Sequence, residues 1–426
     1  MMRKRIDCLA FLSPLFILLL LGSTSHGQNK KSELPKIAGP LVGHATSTSV
    51  TLWMYAPKAA KLEAKVRSSQ TEGAEASKEA SAAFSPIADP AGKVPGAIYT
   101  VTFKYLKPAT HYNFSVAIDG KVNPKRVGRF RTAPPQGEPA KFRMTLTSCM
   151  KAGQPAASWY LMLAQRPDLH LTVGDTHYAD TTKPTTQWQH HLRYRQQPYF
   201  ATVLRSMPNY AIWDDHDYGP NNSDGTAKGK ENSLKGWQQI WGNPASGTSK
   251  TPGAFFKFTW GDVDFFVVDG RYHRSPDNDK DDDKKRMLGD AQFEWLIKGL
   301  ASSKAKFKVI ASGSTLNHSS SDGWRIYSFS RKRLFNAIRE NKIPGVVYMS
   351  GDIHRSLVWE HHESKQVGYP LVEVISSGIA NSKTLSFASI DFDTTLSDPT
   401  MRVRIIHGDG TVQNDKTWSL SQLQVK

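Results

Sequence analysis

Cysteine is scarce in this sequence. Only Cys8 and Cys149 occur among 426 residues, and Cys8 lies in an N-terminal stretch with the features of an export signal. A single cysteine in the mature chain excludes an intrachain disulfide. Such a cysteine is either a small buried hydrophobic residue or a thiolate with a chemical task. For Cys149 taken alone, both interpretations are open.

Long apolar runs are missing after the first residues. The N-terminus has a basic start, an apolar run "LAFLSPLFILLLL", and small residues at Ser25 and Gly27. This pattern predicts a signal peptide over residues 1–27 and an exported protein, either periplasmic or secreted. No later segment approaches the roughly 18 consecutive apolar residues of a membrane-spanning helix, so we expect no transmembrane segment.

Acidic residues are outnumbered. The chain has 38 Asp and Glu against 55 Lys and Arg, a net charge of +17. This excess favours anionic partners such as phosphate esters, nucleic acid or anionic envelope polymers, or it serves solubility alone. No dense Lys/Arg run interleaved with aromatics indicates a dedicated nucleic-acid groove. No Gly-rich phosphate loop is present, which disfavours phosphoryl transfer from a nucleotide. Nothing indicates an obligate protein partner.

Two patterns divide the rest of the chain. Residues 35–131 alternate short strand-like runs with Gly, Pro, Asn and Ser turns, which predicts a small antiparallel sandwich. Residues 132–140 form a Pro-rich linker. From 141 to 426 strands and helices alternate, with helices predicted over 185–206, 287–302 and 328–341. This second part is therefore predicted to be an α/β domain with a mixed sheet.

Polar motifs stand just after the predicted strands of the α/β part. They are "TSCM" with Cys149, "GDTHY" with Asp175 and Tyr178, "WDDHD" with Asp214, Asp215, His216 and Asp217, "VDGRYHR" with Asp269, Arg271 and Arg274, and "SGDIH" with Asp352 and His354. Each motif alone is weak evidence, because a Gly-Asp after a strand is usually a turn. Open α/β sheets bind ligands at the carboxyl ends of their strands, so together the motifs predict one cleft.

The residue types in this predicted cleft suit metal ions. Three neighbouring carboxylates and an imidazole are hard to desolvate together, and a cation would remove the conflict. Asp175, Asp215, Asp352 and His354 offer oxygen and imidazole ligands, whereas a Cys149 thiolate and a Tyr178 phenolate favour a more Lewis-acidic ion such as ferric iron. This mixture suggests two different metal positions.

These motifs, in this order and together with "GPLVGHATSTSVTLW", resemble those of the PhoD-type alkaline phosphatases. That family is a branch of the calcineurin-like metallophosphoesterases. The resemblance covers nearly the whole mature chain and implies a fibronectin-like β-sandwich followed by a catalytic two-sheet sandwich flanked by helices. It also implies iron and calcium as cofactors. One departure is the C-terminus, where strand-like "MRVRIIHGDGTV" replaces the helix expected to narrow the site.

The resemblance also implies roles for individual residues. Asp175 would bridge two metals, and the other implied ligands are Cys149, Tyr178, Asp215, Asp352 and His354. His216 matches the catalytic histidine and Asp217 the acid that orients it. Asp214 would support the site or contribute to substrate binding. Arg271 and Arg274 are candidates for binding phosphate as a fork, with Arg271 also a catalytic candidate, and the alternative for either arginine is a structural salt bridge to Asp269.

The predicted activity is phosphoester hydrolysis of the alkaline phosphatase type. A metal-activated hydroxide would attack phosphorus while His216 stabilises or protonates the leaving oxygen. One alternative is phosphodiester cleavage of nucleic acid or an anionic envelope polymer, because the residues do not separate monoesters from diesters. Another is a non-catalytic, metal-stabilised binding protein, although a purely structural site has no need of His216 with a neighbouring acid.

Overall fold

The computed structural model describes residues 36–69, 79–87, 90–92, 96–151, 157–316, 321–361 and 364–426. The predicted signal peptide lies outside these residues. Across the described ranges, no helix combines the length and the apolar character needed to cross a membrane.

Residues 38–131 form two four-stranded antiparallel sheets. The first has the order β1-β2-β6-β5 and consists of β1 (Ala38–Ala45), β2 (Val50–Ala56), β5 (Ser85–Pro86) and β6 (Ala97–Phe103). The second has the order β4-β3-β7-β8 and consists of β3 (Leu62–Ser68), β4 (Ala80–Ala83), β7 (His111–Ile118) and β8 (Lys121–Arg131). In β7 the side chains of Tyr112, Phe114 and Val116 are buried and alternate with less buried neighbours, as expected for strands with one face on a core.

Two six-stranded sheets follow. One has the order β11-β10-β9-β18-β19-β20, from β9 (Lys141–Thr147), β10 (Leu169–Val173), β11 (Asn209–Ile212), β18 (Ser386–Asp393), β19 (Thr400–His407) and β20 (Val412–Ser419). The other has the order β12-β13-β14-β15-β17-β16, from β12 (Phe256–Trp260), β13 (Val263–Val267), β14 (Phe307–Ala311), β15 (Val346–Ser350), β16 (Ser356–Glu360) and β17 (Val372–Ser376). Strands β9 to β11 run parallel, as do β13, β14, β15 and β17.

Aromatic side chains join the two large sheets. The Phe392 ring on β18 lies 6.4 Å from that of Phe265 on β13 and 5.4 Å from that of Phe307 on β14, measured between centroids. All five residues of β10, β14 and β15 are buried. Strands buried on both faces are typical of sheets covered on one side by a partner sheet and on the other by helices. The mixed α/β architecture is the one predicted.

The helices are α1 (Ala157–Ala164), α2 (Pro184–Arg195), α3 (Pro198–Leu204), α4 (Asp215–Tyr218), α5 (Lys230–Ile240), α6 (Asp290–Ser302), α7 (Ser328–Glu340) and α8 (Ser364–Val367). The prediction of one helix over 185–206 is wrong, because Gln197 is extended before Pro198, which starts a new helix. Helices α6 and α7 agree with the predictions to within a few residues. The strand-like C-terminus is confirmed by β19 and β20.

The small sheets pack directly on the large ones. Tyr210 lies in β11, the edge strand of its sheet, and its hydroxyl donates to the Ala45 carbonyl at 3.2 Å. The Trp53 indole N–H donates to the Gln239 carbonyl at 2.9 Å. Residues Pro35–Lys426 belong to one compact unit. The division into domains over 35–131 and 141–426, with a linker over 132–140, therefore stays a prediction.

Candidate metal centre and active site

The carboxyl ends of strands from both large sheets meet at one edge. Cys149 follows β9, Asp175 follows β10 and Asp352 follows β15. Two contacts show that the strand ends converge in space. Cys149 Sγ lies 3.0 Å from the hydroxyl of Ser377, which follows β17. Arg271, which follows β13, donates its Nε–H to Asp214, which follows β11, at 2.6 Å. The predicted cleft at the strand ends is present.

One group of candidate ligands contains Cys149, Asp175 and His354, whose ligand atoms all lie within 4.8 Å of one another. Cys149 Sγ is 3.2 Å from Asp175 Oδ2. The Tyr178 hydroxyl lies 3.4 Å from Asp175 Oδ2 and 3.4 Å from His354 Nε2. Four of the predicted ligands therefore surround one point.

A second group contains Asp175, Asp215 and His216, again with ligand atoms within 4.8 Å of one another. Asp175 belongs to both groups, as a bridging carboxylate would. Asp352 belongs to neither group, and its backbone carbonyl lies 3.7 Å from Cys149 Sγ. The structure brings the other predicted ligands together in these two groups, and the charge of Asp352 is near enough to help raise the pKa of Cys149.

Two carboxylate oxygens of these ligand groups have no hydrogen-bond partner among the described residues. Asp175 Oδ1 and Asp215 Oδ1 are buried and accept no hydrogen bond from the described residues. Burial, with the nearby Cys149 and Asp215, raises the pKa of Asp175 well above its ordinary value. Burial also raises the pKa of the Cys149 thiol to about 11. Cations would favour the ionised forms of both groups, so the donor set fits a two-cation centre.

The backbone at this site is unusual. Twelve described non-glycine residues have positive φ, and seven of them lie here: Cys149, Asp175, Tyr178, Asp180, Asn222, Asp352 and His354. A left-handed conformation costs a side-chain-bearing residue roughly 1–2 kcal/mol. Such clustering is typical of sites where the fold imposes the direction of the functional side chains.

His216 is held by an acid that the sequence analysis did not identify. Its Nδ1 lies 2.5 Å from Asp180 Oδ1, and its ring is 4.3 Å from that of Tyr178, centroid to centroid. The Asp180 backbone N–H also donates to the His216 carbonyl at 3.3 Å. The His216 side chain is 18% exposed, so part of the ring is accessible to solvent. This Nε2 lies 4.0 Å from Asp215 Oδ2.

Asp217 has a different role from the one predicted. Its carboxylate accepts from the backbone N–H and the hydroxyl of Thr176 and from the backbone N–H of Asp214. Burial raises the pKa of Asp217 to about 7. The prediction that Asp217 orients His216 is wrong, because these bonds direct its carboxylate toward the loop after β10. Asp217 ties that loop to helix α4.

The predicted phosphate fork is also wrong. The Arg271 side chain is 0% exposed, and its guanidinium donates to Asp214 at 2.6 Å and to Asp322 at 2.7 Å. The Arg274 side chain is likewise buried and donates to the Ser314 hydroxyl at 2.8 Å. Both guanidinium groups are therefore buried within the protein, where they bind its own side chains.

Asp214, predicted to support the site or to contribute to substrate binding, is buried beside Arg271. Its pKa is raised to about 6 by burial, although its partner Arg271 opposes the shift. Arg271 Nη2 also lies 3.6 Å from Asp215 Oδ1. The salt bridges of Arg271 are therefore structural, and the carboxylates that neutralise its guanidinium are those of Asp214 and Asp322. Asp269 accepts a hydrogen bond only from the backbone N–H of Arg271.

Asn381 completes the rim of the first ligand group. Its side-chain amide lies 3.0 Å from the Tyr178 hydroxyl and 3.0 Å from His354 Nε2. The sequence analysis missed Asn381 and Asp180. For Asp180 the available signal was its position two residues after Tyr178, inside a motif already identified.

A cleft of about 790 Å³ opens beside the site. His354 and Asn381 form one end of its wall. Arg355, Lys383 and His407 add basic groups, and Ser356, Ser382 and Thr384 add hydroxyls. His407 ends β19, so the predicted C-terminal strands lie beside the cleft. The cleft gives a substrate access to His354 at the edge of the first ligand group.

Comparisons with known proteins give consistent matches. The family model for PhoD-like phosphatase matches residues 144–397. Alkaline phosphatase D of Bacillus subtilis (strain 168) is 23% identical over an alignment of 308 residues, which covers 59% of this chain and 52% of that protein. The chain therefore spans about half the length of this curated relative.

Two solved structures share the fold. A structure of PhoD matches with a TM-score of 0.69 and 17% identity, covering 90% of this chain and 93% of that one. Purple acid phosphatase PPD1 from yellow lupin (Lupinus luteus) seeds matches with a TM-score of 0.66 and 14% identity, covering 90% of this chain and 74% of that one. These matches confirm the predicted fold class.

Proposed function

Because the chain belongs to the PhoD-like phosphatase family, as its motifs predicted, we propose that it is an exported, metal-dependent phosphoester hydrolase of the alkaline phosphatase type. The observation that carries this proposal is the position of Asp175, which is shared by two ligand groups at the carboxyl ends of parallel strands. A shared carboxylate between two cation positions suits an in-line displacement at phosphorus.

The two positions differ in their donors, so we propose different ions. Cys149 and Tyr178 offer sulfur and phenolic oxygen beside Asp175, and these favour iron. Asp215 offers carboxylate oxygen on the other side, beside His216, and this favours a hard cation such as calcium. When bound, the cations supply Lewis acidity and make water a nucleophile near neutral pH.

The protein's own contribution to leaving-group chemistry is His216. Asp180 holds Nδ1 at 2.5 Å, which leaves Nε2, 4.0 Å from Asp215 Oδ2, as the nitrogen for proton transfer. This is the arrangement of a proton donor whose tautomer and direction are set by a carboxylate. The scissile oxygen would lie at Nε2, with the leaving alcohol in the cleft beside His354. The Asp180 pairing also argues against a non-catalytic binding protein, because structural cations have no need of an oriented imidazole.

Phosphodiester cleavage is the second candidate. The open cleft beside His354 favours it, because Arg355 and Lys383 would tolerate an anionic group beyond the scissile ester. Turnover of p-nitrophenyl phosphate and bis-p-nitrophenyl phosphate, measured in parallel, separates monoesterase from diesterase activity.

Chelation tests the proposed function. Protein freed of metal should lose activity on both nitrophenyl substrates and recover it when cations are added back, because Asp175 and Asp215 would then regain their counter-ions. Turnover and metal content should be measured on the same sample. Full activity after verified metal removal would contradict the proposal.

Cys149→Ser tests the assignment of iron. Thiolate and phenolate ligands give ferric iron a charge-transfer colour, so the substitution should remove visible absorption and deplete iron while calcium persists. Ser158→Ala, at a buried position in α1, is the matched control and should keep the iron. If Cys149→Ser protein, folded and purified in parallel, carried the parent's iron and spectrum, Cys149 would be a buried hydrophobic residue.

A further inference from the structure

Two serine hydroxyls converge on the sulfur of Cys149. Ser148 Oγ lies 3.3 Å from Cys149 Sγ, and Ser377 Oγ lies 3.0 Å from it. Ser148 is the chain neighbour of Cys149, whereas Ser377 follows β17 in the other large sheet. All three residues are 0% exposed, so bulk solvent does not compete for these contacts. The protein itself therefore provides polar partners for the sulfur.

The surroundings of Ser377 direct its proton toward this sulfur. The Ser377 hydroxyl oxygen accepts a hydrogen bond from the backbone N–H of His354 at 2.9 Å. The Ser377 backbone N–H donates to the Ser356 hydroxyl at 3.3 Å, which fixes the residue from a second side. A hydroxyl has one proton to donate. Because the His354 N–H already occupies the oxygen as a donor, the Ser377 proton is available to Cys149 Sγ.

Ser148 is fixed beside the sulfur by a close approach of the backbone. Its hydroxyl donates to Cys149 Sγ, and Gly351, which follows β15, packs against it. A side chain at position 351 would collide with the Ser148 hydroxyl. Glycine at this position therefore leaves the space in which Ser148 lies. The two hydroxyls reach the sulfur from the ends of β9 and β17, which belong to different sheets.

Two hydroxyl donors suit a thiolate better than a thiol. A thiol sulfur is a weak acceptor, whereas hydrogen bonds to an ionised acceptor are roughly twice as strong as those between neutral groups. Asp175 Oδ2 lies only 3.2 Å from Cys149 Sγ. Two negative charges at this distance repel each other unless a cation neutralises them. The surroundings of Cys149 therefore fit a charged sulfur beside a cation.

We propose that Ser148 and Ser377 are positioning residues that tune the Cys149 thiolate as a cation ligand. Hydrogen bonds to a ligand sulfur withdraw electron density from it, and proteins use such bonds to set the properties of thiolate-bound metals. With both hydroxyls in place, the sulfur gives less charge to its cation, which leaves that cation a stronger Lewis acid. This inference rests on the proposed function, in which Cys149 is a ligand.

Cobalt(II) is the probe that tests the proposal, because a thiolate bound to it gives a sulfur-to-metal charge-transfer band in the near ultraviolet. The full chain is freed of metal and loaded with cobalt(II), and the spectra of the parent, Ser148→Ala and Ser377→Ala are recorded. Loss of a hydrogen bond raises the energy of the sulfur electrons, so each substitution should move the band to longer wavelength. The double variant should move it further than either single variant.

Ser330→Ala is the matched control. Ser330 is a buried serine in α7 whose hydroxyl donates to the Lys285 carbonyl at 2.9 Å. Its replacement should leave the band at the wavelength of the parent. Ser377→Thr keeps a hydroxyl at the sulfur and should likewise give the parent's band, which a loss of packing alone does not explain. Ser148→Ala keeps the proposal testable if Ser377→Ala fails to fold.

The reduction potential of the iron-loaded protein is a second measurement. Both alanine variants, Ser148→Ala and Ser377→Ala, should lower it, because a sulfur without hydrogen bonds donates more charge and stabilises the ferric state. A cobalt band at the parent's wavelength in both variants would overturn the proposal and leave Cys149 as a ligand. Absence of the band from the parent would overturn the proposal together with the assignment of Cys149 as a ligand.

Discussion

Asp175→Asn should lower phosphoester turnover by about a thousandfold or more, the scale seen when a central catalytic group is removed. The reason is that Asp175 belongs to both candidate ligand groups and its Oδ1 has no partner within the described residues. A neutral amide binds cations less well and cannot bridge two of them through charged oxygens. Turnover of p-nitrophenyl phosphate and the content of each metal per chain should fall together.

Asp168→Asn is the matched control for this substitution. Asp168 precedes the same strand, β10, at its opposite end and pairs with Arg131 at 2.9 Å. Its replacement should leave metal content and turnover near those of the parent. The bridging role of Asp175 would be refuted by an Asp175→Asn protein that retains both metals and more than a tenth of the activity.

His216→Ala should lower kcat by about a hundredfold or more, the usual scale of general acid assistance. The loss should be larger for phenyl phosphate than for p-nitrophenyl phosphate, because the poorer leaving group depends more on protonation. Because His216 also belongs to the second ligand group, metal content should be measured on the same sample, and it should stay close to that of the parent if His216 acts as a proton donor rather than as a ligand. Equal losses on the two substrates would exclude the role of proton donor.

Asp180 and Asp217 provide a paired comparison for the same role. Asp180→Asn should reduce kcat, with the larger loss again on phenyl phosphate, because its carboxylate holds His216 Nδ1 at 2.5 Å. Asp217→Asn should act mainly on stability, because the Asp217 carboxylate is bonded to Thr176 and Asp214. A leaving-group effect confined to Asp217→Asn would reinstate the assignment made from the sequence.

The strand-end residues were predictable because simple rules place them. Cys149, Asp175 and Asp215 each follow an apolar run, and parallel strands bring their carboxyl ends together. The resemblance to PhoD-type phosphatases then suggested which of these residues share a metal. Asp180 escaped prediction because a left-handed turn, rather than a strand end, brings it to His216.

The burial of Arg271 could not be predicted from its sequence motif. Arg271 looks like a phosphate ligand in "VDGRYHR", but its burial depends on Asp322, 51 residues later and in no recognisable motif. Charge neutralisation by such a distant partner is visible only in three dimensions.

Local signals also explain the fold predictions that failed. Pro198 disfavours a helical conformation at Gln197, so the sequence was sufficient to predict a break between α2 and α3. Helix α5 (Lys230–Ile240) was not predicted at all, because Gly236 interrupts a mostly polar segment and lowers its helical propensity. Burial of Leu234, Trp237 and Ile240 stabilises this helix instead, and such tertiary contacts outweigh propensity.

The contact between Cys149 and Ser377 joins residues that are 228 positions apart, at the ends of strands in different sheets. A growing chain therefore cannot assemble the site until β17 has been synthesised and packed. Since ligands scattered over several loops hold cations only after folding, the proposed centre would acquire its ions late. The choice between iron, calcium and their competitors would then depend on the ions available in the compartment where folding ends, as well as on the ligands themselves.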